Sequence, residues 1–188
     1  MCFKTMNILT DLSSKKKYDV VFFNSSLHHL PNVRFFLKES IVPVLNDNGL
    51  VIIFEYTGPN RLQFPSYQIN AINDLLKQIP ESYRRRYKTN KVKHRVSGPG
   101  IIRMILADPS ECIDSASIIP SLHELFEVVE EKKIGDNLMM LLLKDIAHHF
   151  CNELPQTKMI LQMAFKKEEE YLFQNKADFV FGVYSKKG

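Results

Sequence analysis

The sequence predicts an α/β protein built on a mostly parallel sheet with a helical cap insertion. Two short apolar runs, YDVVFF at 18–23 and LVIIF at 50–54, flank a segment with helical periodicity. A stretch punctuated by prolines follows, and apolar runs return towards the end of the chain. Continuous apolar runs are typical of strands that are buried on both faces of a parallel sheet.

The first apolar run predicts a central strand because β-branched and aromatic residues dominate it. Leu37, Ile41 and Val44 then recur at helical spacing, and Pro43 should kink the last turn of that helix. The sequence Asn-Asp-Asn-Gly at 46–49 predicts a turn before the second strand. A strand, a helix and a second strand in this order predict a right-handed βαβ unit.

The remaining elements divide into a cap and a return to the sheet. Residues 1–57 hold the central strands and helix, and residues 58–116 are predicted to form the cap, with a helix that begins at Ser66 and ends before Pro80. Residues 117–188 are predicted to complete the same single domain. This part comprises a helix after Ser117, a strand at 126–134, helices at 138–150 and 157–173, and a strand at 178–185. The helix at 157–173 is expected to bury Ile160, Met163, Ala164 and Phe165.

Composition limits the class of protein. The chain has 188 residues, of which 45% are hydrophobic and 24% charged, as is usual for a soluble domain. No secretory signal and no apolar run of about 20 residues is present, so we expect a cytoplasmic protein without a membrane span. The three cysteines are widely spaced and form no CxxC pair, which predicts reduced thiols and no metal site.

The positive charge is concentrated in one stretch. Residues Arg84 to Arg95 contain seven lysines and arginines and no acid, while the rest of the chain has 18 bases and 21 acids. This basic run fits either a solvated loop or a contact surface for an anionic substrate, a phosphate-bearing carrier or nucleic acid. Nucleic acid is the less favoured partner because no aromatic RNA-binding motif or zinc knuckle accompanies the run.

Two segments resemble a known family. The runs YDVVFFNSSLHHLPN and NDNGLVIIFEYTGPNRLQFP, with the helix between them, resemble the fourth strand, fourth helix and fifth strand of class I S-adenosylmethionine-dependent methyltransferases. The resemblance extends over nearly the whole chain, although its more specific motifs lie in residues 1–57. It implies a partial Rossmann-like methyltransferase sheet. It also implies transfer of a methyl group from S-adenosylmethionine to a small molecule or a carrier-linked acceptor.

The resemblance assigns cofactor contacts to two places. Residues 7–12 are similar to the end of the third strand and its acidic loop, so Asp11 and Leu12 would lie beside the adenine. Asn24 and Ser25 would flank the methionine part of S-adenosylmethionine. Asp11 is also a common residue type for a turn after a strand.

The acceptor side has two candidate bases and four candidate contacts. His29 and Glu55 follow the two strands, and either could remove a proton from the acceptor. Equally, the histidines could pack beneath the following helix, and Glu55 could accept hydrogen bonds from the cap. The candidate substrate contacts are Tyr56, Asn60, Arg61 and Gln63, although a cap loop also uses such residues for its own turns.

One departure from the family pattern matters. The first glycine is Gly49, so the glycine-rich loop that grips the cofactor has no counterpart, and neither has the acidic residue after the second strand. We therefore expect the chain to be N-terminally incomplete as an enzyme, and S-adenosylmethionine not to bind to it alone. The strand at 18–23 would become an apolar edge, which is a pairing liability.

Three accounts follow from that departure. The chain is part of a longer methyltransferase, which we favour, or a second copy or a partner chain covers its exposed sheet edge. The third account is a catalytically inactive binding or scaffold module. A nucleotide-binding dehydrogenase would also need the glycine loop, and a serine hydrolase would need a G-x-S-x-G motif that the chain lacks.

Overall fold

The computed structural model describes residue 5, residues 7–10 and residues 16–187. Within them the strands form one four-stranded sheet in the order β1-β2-β4-β3. The strands are β1 (Tyr18–Asn24), β2 (Leu45–Tyr56), β3 (Phe126–Gly135) and β4 (Phe179–Lys186). Since β1 and β2 pair in parallel and helical turns connect them, the predicted βαβ unit is present.

The sheet is mixed, so the prediction of a mostly parallel sheet is wrong. β4 lies between β2 and β3 and runs antiparallel to both. Apolar content alone does not encode strand direction. The burial of β4 alternates along its length, a pattern typical of antiparallel strands with one covered face.

In the described part of the chain, six short to medium α-helices connect the strands. They are α1 (Val33–Phe36), α2 (Ser66–Gln78), α3 (Ile101–Ala107), α4 (Ile118–Leu125), α5 (Met139–Leu143) and α6 (Pro155–Gln174). α1 continues as a π turn at Leu37–Ile41 and tightens to a 3-10 turn at Val42–Val44, where Pro43 cannot donate a helical hydrogen bond. None of the described helices is both long enough and apolar enough to cross a bilayer.

The predicted turn at 46–49 lies inside the first part of β2. Tyr18 pairs with Leu45 and Val20 pairs with Leu50, so residues 46–49 are looped out of register between these two pairs. The Asn-Asp-Asn-Gly sequence therefore forms a bulge within β2 and does not separate the strand from the helix.

The described residues form two hydrophobic clusters that stabilise the fold. The first lies between one face of the sheet and the helices α1 and α4, with Phe23, Ile53 and Tyr184 among its buried side chains. The second contains Leu76 of α2, Leu142 of α5 and Ile160 of α6. The cap helix α2 thus packs on helices from the C-terminal part of the chain, whereas the domain boundaries drawn from the sequence stay a prediction.

Two expectations for the C-terminal helices are wrong. The predicted helix at 138–150 is divided into α5 and a 3-10 turn at Ala147–Phe150, because Asp145 has a φ of 68°. Lys93 donates hydrogen bonds to the carbonyls of Leu141, Leu142 and Lys144 and so satisfies the end of α5. On α6, Phe165 is 52% exposed rather than part of the core.

The second face of the sheet is open along β1. Val20 is 49% exposed and Phe22 is 57% exposed, whereas Phe23, which points to the opposite face, is buried. Phe54 of the neighbouring strand adds a further 36% exposed ring on the open face. We call these three side chains of β1 and β2 the open apolar face.

Candidate functional site

The carboxylate of Glu55 joins the ends of the two parallel strands. Glu55 is fully buried near the end of β2, and its Oε1 accepts hydrogen bonds from the backbone N–H groups of Ser26 at 2.6 Å and Leu27 at 2.8 Å. Both donors belong to the loop that follows β1. A buried carboxylate is stable only when its oxygens are hydrogen-bonded, so Glu55 fixes this loop in place.

His28 completes the hydrogen bonding of that carboxylate. Its Nδ1 lies 2.7 Å from Oε2 of Glu55, and the imidazole is only 6% exposed. The backbone carbonyl of His28 accepts a hydrogen bond from Ile113 in the cap at 3.1 Å. The glutamate therefore has His28 as its partner, and not His29, the histidine that the sequence analysis favoured.

His29 faces the cap from the same loop. Its Nδ1 lies 3.1 Å from Oγ of Ser110, which in turn donates a hydrogen bond to Asp108. The hydroxyl of Ser110, and then its backbone N–H, lower the pKa of the Asp108 carboxyl. His29 is about one-third exposed, so it reaches solvent while its ring orientation is fixed.

Glu111 stands opposite both histidines. Its carboxylate oxygens lie 3.9 Å from Nε2 of His28 and 3.8 Å from Nε2 of His29. The thiol of Cys112 donates a hydrogen bond to Glu111 at 3.1 Å, and burial, followed by Glu111 itself, raises the pKa of that thiol. We call His28, His29, Glu55 and Glu111 the histidine–carboxylate cluster.

The predicted cofactor contacts that the structure describes are solvent-exposed. Asn24 ends β1 and Ser25 follows it with a φ of 48°, and neither side chain has a hydrogen-bond partner among the described residues. Both polar groups are therefore available to a ligand at this edge. Asp11 and Leu12, the residues expected beside the adenine, lie outside the described residues.

The fit to S-adenosylmethionine is one-sided. Asn24 and Ser25, which the resemblance places beside the methionine part, are both exposed at the end of β1. The loop after β1 contains no glycine, and the chain has none before Gly49 that could cradle the rest of the cofactor. Candidate residues for only one side of the cofactor are thus found in the described part of the chain.

Tyr56, an expected substrate contact, is buried beside the cluster. The ring is 3% exposed, packs edge-on against His28 with centroids 6.5 Å apart, and its hydroxyl donates to the carbonyl of Pro59 at 3.2 Å. Burial, followed by the charges of nearby acidic groups, raises the pKa of this phenol, so it stays protonated. Tyr56 therefore packs against the buried side of the cluster and is not exposed to a substrate.

The other three expected substrate contacts hold the cap together. Oδ1 of Asn60 accepts a hydrogen bond from the backbone of Ala116 at 2.9 Å. The guanidinium of Arg61 donates to the backbone carbonyl of Glu111 at 3.2 Å, and Gln63 donates to the carbonyl of Arg61 at 2.7 Å. These bonds fit the alternative that a cap loop uses polar side chains for its own turns, while substrate contact stays a prediction.

Sequence reasoning did not select two members of the cluster. Catalysis by either adjacent histidine was weighed but only His29 was chosen as a candidate base, and Glu111 was not singled out, because it lies in the cap far along the chain from both histidines. Only the adjacency of two histidines at a strand's carboxyl end could have indicated the cluster. No local pattern identifies Glu111.

The basic run lies partly on the surface and partly beside a cavity of about 310 Å³. Arg86 pairs with Asp145 at 2.6 Å, and both residues line this cavity. The cavity is lined by the cationic side chains of Arg86, Lys93, Arg95, Arg103 and Lys144. This cavity shares no lining residue with the histidine–carboxylate cluster, so the two are separate features.

Comparison with known proteins gives fold-level similarity only. No family model matches the chain, and no curated protein matches it. A solved structure described as the [4+2]-cyclase SpnF superposes with a TM-score of 0.43 at 11% identity, covering 98% of this chain and 55% of that one. The plantazolicin methyltransferase BpumL, in complex with a pentazolic desmethylPZN analog and SAH, gives a TM-score of 0.37 at 12% identity, covering 97% and 58%. This α/β chain thus spans just over half the length of each of the two solved structures that it resembles.

Proposed function

We propose that this chain supplies the acceptor side of an S-adenosylmethionine-dependent methyltransferase that acts on a small molecule or a carrier-linked acceptor. One observation carries the proposal: the exposed side chains of Asn24 and Ser25 lie beside the histidine–carboxylate cluster, where two parallel strands end. Ligands of open α/β sheets bind at such an edge. The sequence resemblance to class I methyltransferases supplies the reaction.

The residues of the cluster would have different roles in such a site. S-adenosylmethionine would supply an activated methyl group, and the protein would mainly hold the acceptor in line with it. His29 is the better candidate for a general base because its ring is partly exposed and its Nε2 carries no hydrogen-bond partner among the described residues. Glu55 is fully buried and hydrogen-bonded through both oxygens, so it positions His28 and the loop.

Amide spectra of the isotope-labelled chain test the proposal directly. Titration with S-adenosylmethionine should shift the amide signals of Asn24, Ser25 and Ser26, with a dissociation constant weaker than about 1 mM, or about −4 kcal/mol of binding. Binding is weak because the chain offers contacts for only one side of the cofactor. The double variant Asn24→Ala with Ser25→Ala should lose the shifts, whereas Asn175→Ala, at the end of α6, should keep them.

Two results would contradict the proposal. If the amide signals that shift at the highest ligand concentration all lie outside residues 24–29, S-adenosylmethionine does not bind at the end of β1. Micromolar binding in calorimetry would show that the cofactor pocket is complete, against the expectation of a one-sided site.

A second candidate function is a scaffold that pairs through its sheet edge, and the open apolar face favours it. β1 is the outer strand of the described sheet, so its backbone groups on that side are available for pairing. We propose a second copy of this chain as the occupant, because antiparallel pairing of two β1 strands is self-complementary about a twofold axis. Pairing would also bring the two exposed Phe22 rings together.

Light scattering at several concentrations tests the pairing. The wild-type chain should be a dimer, and Phe22→Glu should shift it towards a monomer because a buried carboxylate would face the opposite ring. The matched control is Phe173→Glu on α6, a 95% exposed ring away from the sheet edge, which should leave the dimer unchanged. A wild-type monomer that melts cooperatively would contradict the pairing.

A further inference from the structure

We propose that His28, His29 and Glu111 form a binding site for one divalent transition-metal ion, and that Zn²⁺ fits it best. This inference does not depend on methyltransferase activity, and with the ion bound Nε2 of His29 would be a ligand, so His29 could act as a base only in the metal-free chain. It rests on the convergence of two imidazole nitrogens and a carboxylate in the histidine–carboxylate cluster. The cysteine spacing predicted no metal site, but none of the three proposed ligands is a cysteine.

The potential ligand atoms already face one another. One ligand atom from each of the three residues lies within 4.8 Å of the others. A tetrahedral zinc site with bonds of about 2.0 Å places its ligand atoms roughly 3.3 Å apart. Small side-chain rotations of His29 and Glu111, both partly exposed, would close the remaining gaps from 3.8 and 3.9 Å.

The second ring nitrogen of each histidine is already held. Nδ1 of His28 lies 2.7 Å from the buried carboxylate of Glu55, and Nδ1 of His29 lies 3.1 Å from the hydroxyl of Ser110. Metal-binding histidines usually have such a partner on the other nitrogen, which fixes the tautomer that leaves Nε2 free to bind. Both Nε2 atoms here are directed towards Glu111.

The ligand set selects the metal. Two imidazoles and one carboxylate suit Zn²⁺, Co²⁺ or Ni²⁺, whereas Mg²⁺ and Ca²⁺ prefer oxygen ligands alone. Because His29 and Glu111 are about 34% and 29% exposed, a fourth position on the metal would be open to solvent. Three protein ligands with one open position are typical of catalytic zinc sites.

Calorimetry with zinc chloride on the chelator-treated full chain tests the site. We expect one zinc ion per chain with a micromolar or tighter dissociation constant, and no measurable binding of Mg²⁺. His29→Gln and Glu111→Gln should each weaken zinc binding by at least about tenfold. Both positions are partly exposed, and circular dichroism of each variant confirms that it is folded.

The chain contains a matched control. His148 and His149 form a second adjacent pair, with ring centroids 3.9 Å apart, but no such cluster with a carboxylate includes them among the described residues. The double variant His148→Gln with His149→Gln should therefore keep full zinc binding. Loss of binding in that control, or its retention in both His29→Gln and Glu111→Gln, would overturn the proposal.

Cobalt substitution tests the ligand identity. The Co²⁺-loaded chain should show the visible absorption of a four-coordinate site with nitrogen and oxygen ligands, and Cys112→Ser should leave it unchanged. A sulfur-to-cobalt charge-transfer band that disappears in Cys112→Ser would overturn the assignment of these three ligands. Absence of stoichiometric binding by both metals would overturn the site itself.

Discussion

Nδ1 of His28 lies 2.7 Å from Oε2 of Glu55, and this contact connects the ends of two parallel strands. The same carboxylate accepts two backbone hydrogen bonds from the loop after β1. Each of its oxygens therefore has a hydrogen-bond partner in the protein interior. The position of His28, and of His29 beside it, depends on this one buried side chain.

Replacing Glu55 should strongly destabilise the fold. Glu55→Ala would leave the N–H groups of Ser26 and Leu27 and the ring of His28 without their buried acceptor. We expect a loss of about 3–5 kcal/mol in the free energy of unfolding, measured by urea denaturation. Glu127→Ala, at an exposed position of β3, should change it by less than about 0.5 kcal/mol. Equal effects of the two substitutions would contradict this role of Glu55.

The sequence predicted the elements whose physics is local. Continuous apolar runs identified β1 and β2, and the looped-out residues 46–49 correspond to the Asn-Asp-Asn-Gly turn. The direction of β4 was missed because it depends on which strand β4 reaches after α6. The division of the helix after residue 138 was missed because the ammonium group of Lys93, which satisfies the carbonyls where α5 ends, comes from a distant segment.

The candidate site was predictable only in part for the same reason. Asn24 and Glu55 could be placed from the ends of their own strands. The cap residue Glu111 reaches the histidines through tertiary contacts that no spacing in the sequence encodes. The pairing of Glu55 with His28 rather than His29 depends on the 3-10 turn at Leu27–His29, which carries two adjacent histidines to different partners.

Gly182 should not tolerate a side chain. An added Cβ there would lie 2.5 Å from the ring and the hydroxyl oxygen of Tyr184, which is fully buried and donates to Glu131 at 2.8 Å. The ring cannot move without disturbing the first hydrophobic cluster. We expect Gly182→Ala to cost about 1–3 kcal/mol in chemical denaturation. Ser185→Ala, on the same strand but partly exposed, is the matched control, and a comparable loss there would refute the steric explanation.

Asp136 should make stability fall as the pH rises. Burial, followed by the charge of Glu168, raises the pKa of this carboxyl from 3.8 to about 6. A folded pKa above the unfolded one gives a contribution that is complete below about pH 4 and is lost as the pH passes 6. Asp136→Asn should therefore stabilise the protein at pH 7 by on the order of 1–3 kcal/mol and have little effect near pH 4.

Asparagine suits this position because Asp136 has a φ of 65°, a conformation that asparagine adopts readily. Thermal melts of both proteins at the two pH values give the difference. Asp47→Asn, at a fully exposed side chain, is the control and should change the melting temperature little at either pH. An Asp136→Asn effect of the same size at both pH values would contradict the assignment.

Lys93 should make stability rise with pH in the alkaline range. Its side chain is 3% exposed, and burial, followed by the charge of Arg86, lowers its pKa from 10.5 to about 8. Between about pH 8 and pH 10.5 the unfolded chain therefore binds more protons at this lysine than the folded chain does, so folding becomes more favourable as the pH rises.

Lys93→Met removes the titrating group, and the wild type should gain up to about 3 kcal/mol relative to this variant between pH 7 and pH 10. Lys77→Met, at a lysine that is 71% exposed on α2, controls for the general effect of losing a surface charge. Urea denaturation of the three proteins at both pH values measures the gain, and a wild-type advantage over Lys93→Met that shrinks towards pH 10 would show that this ammonium group is not disfavoured by its burial.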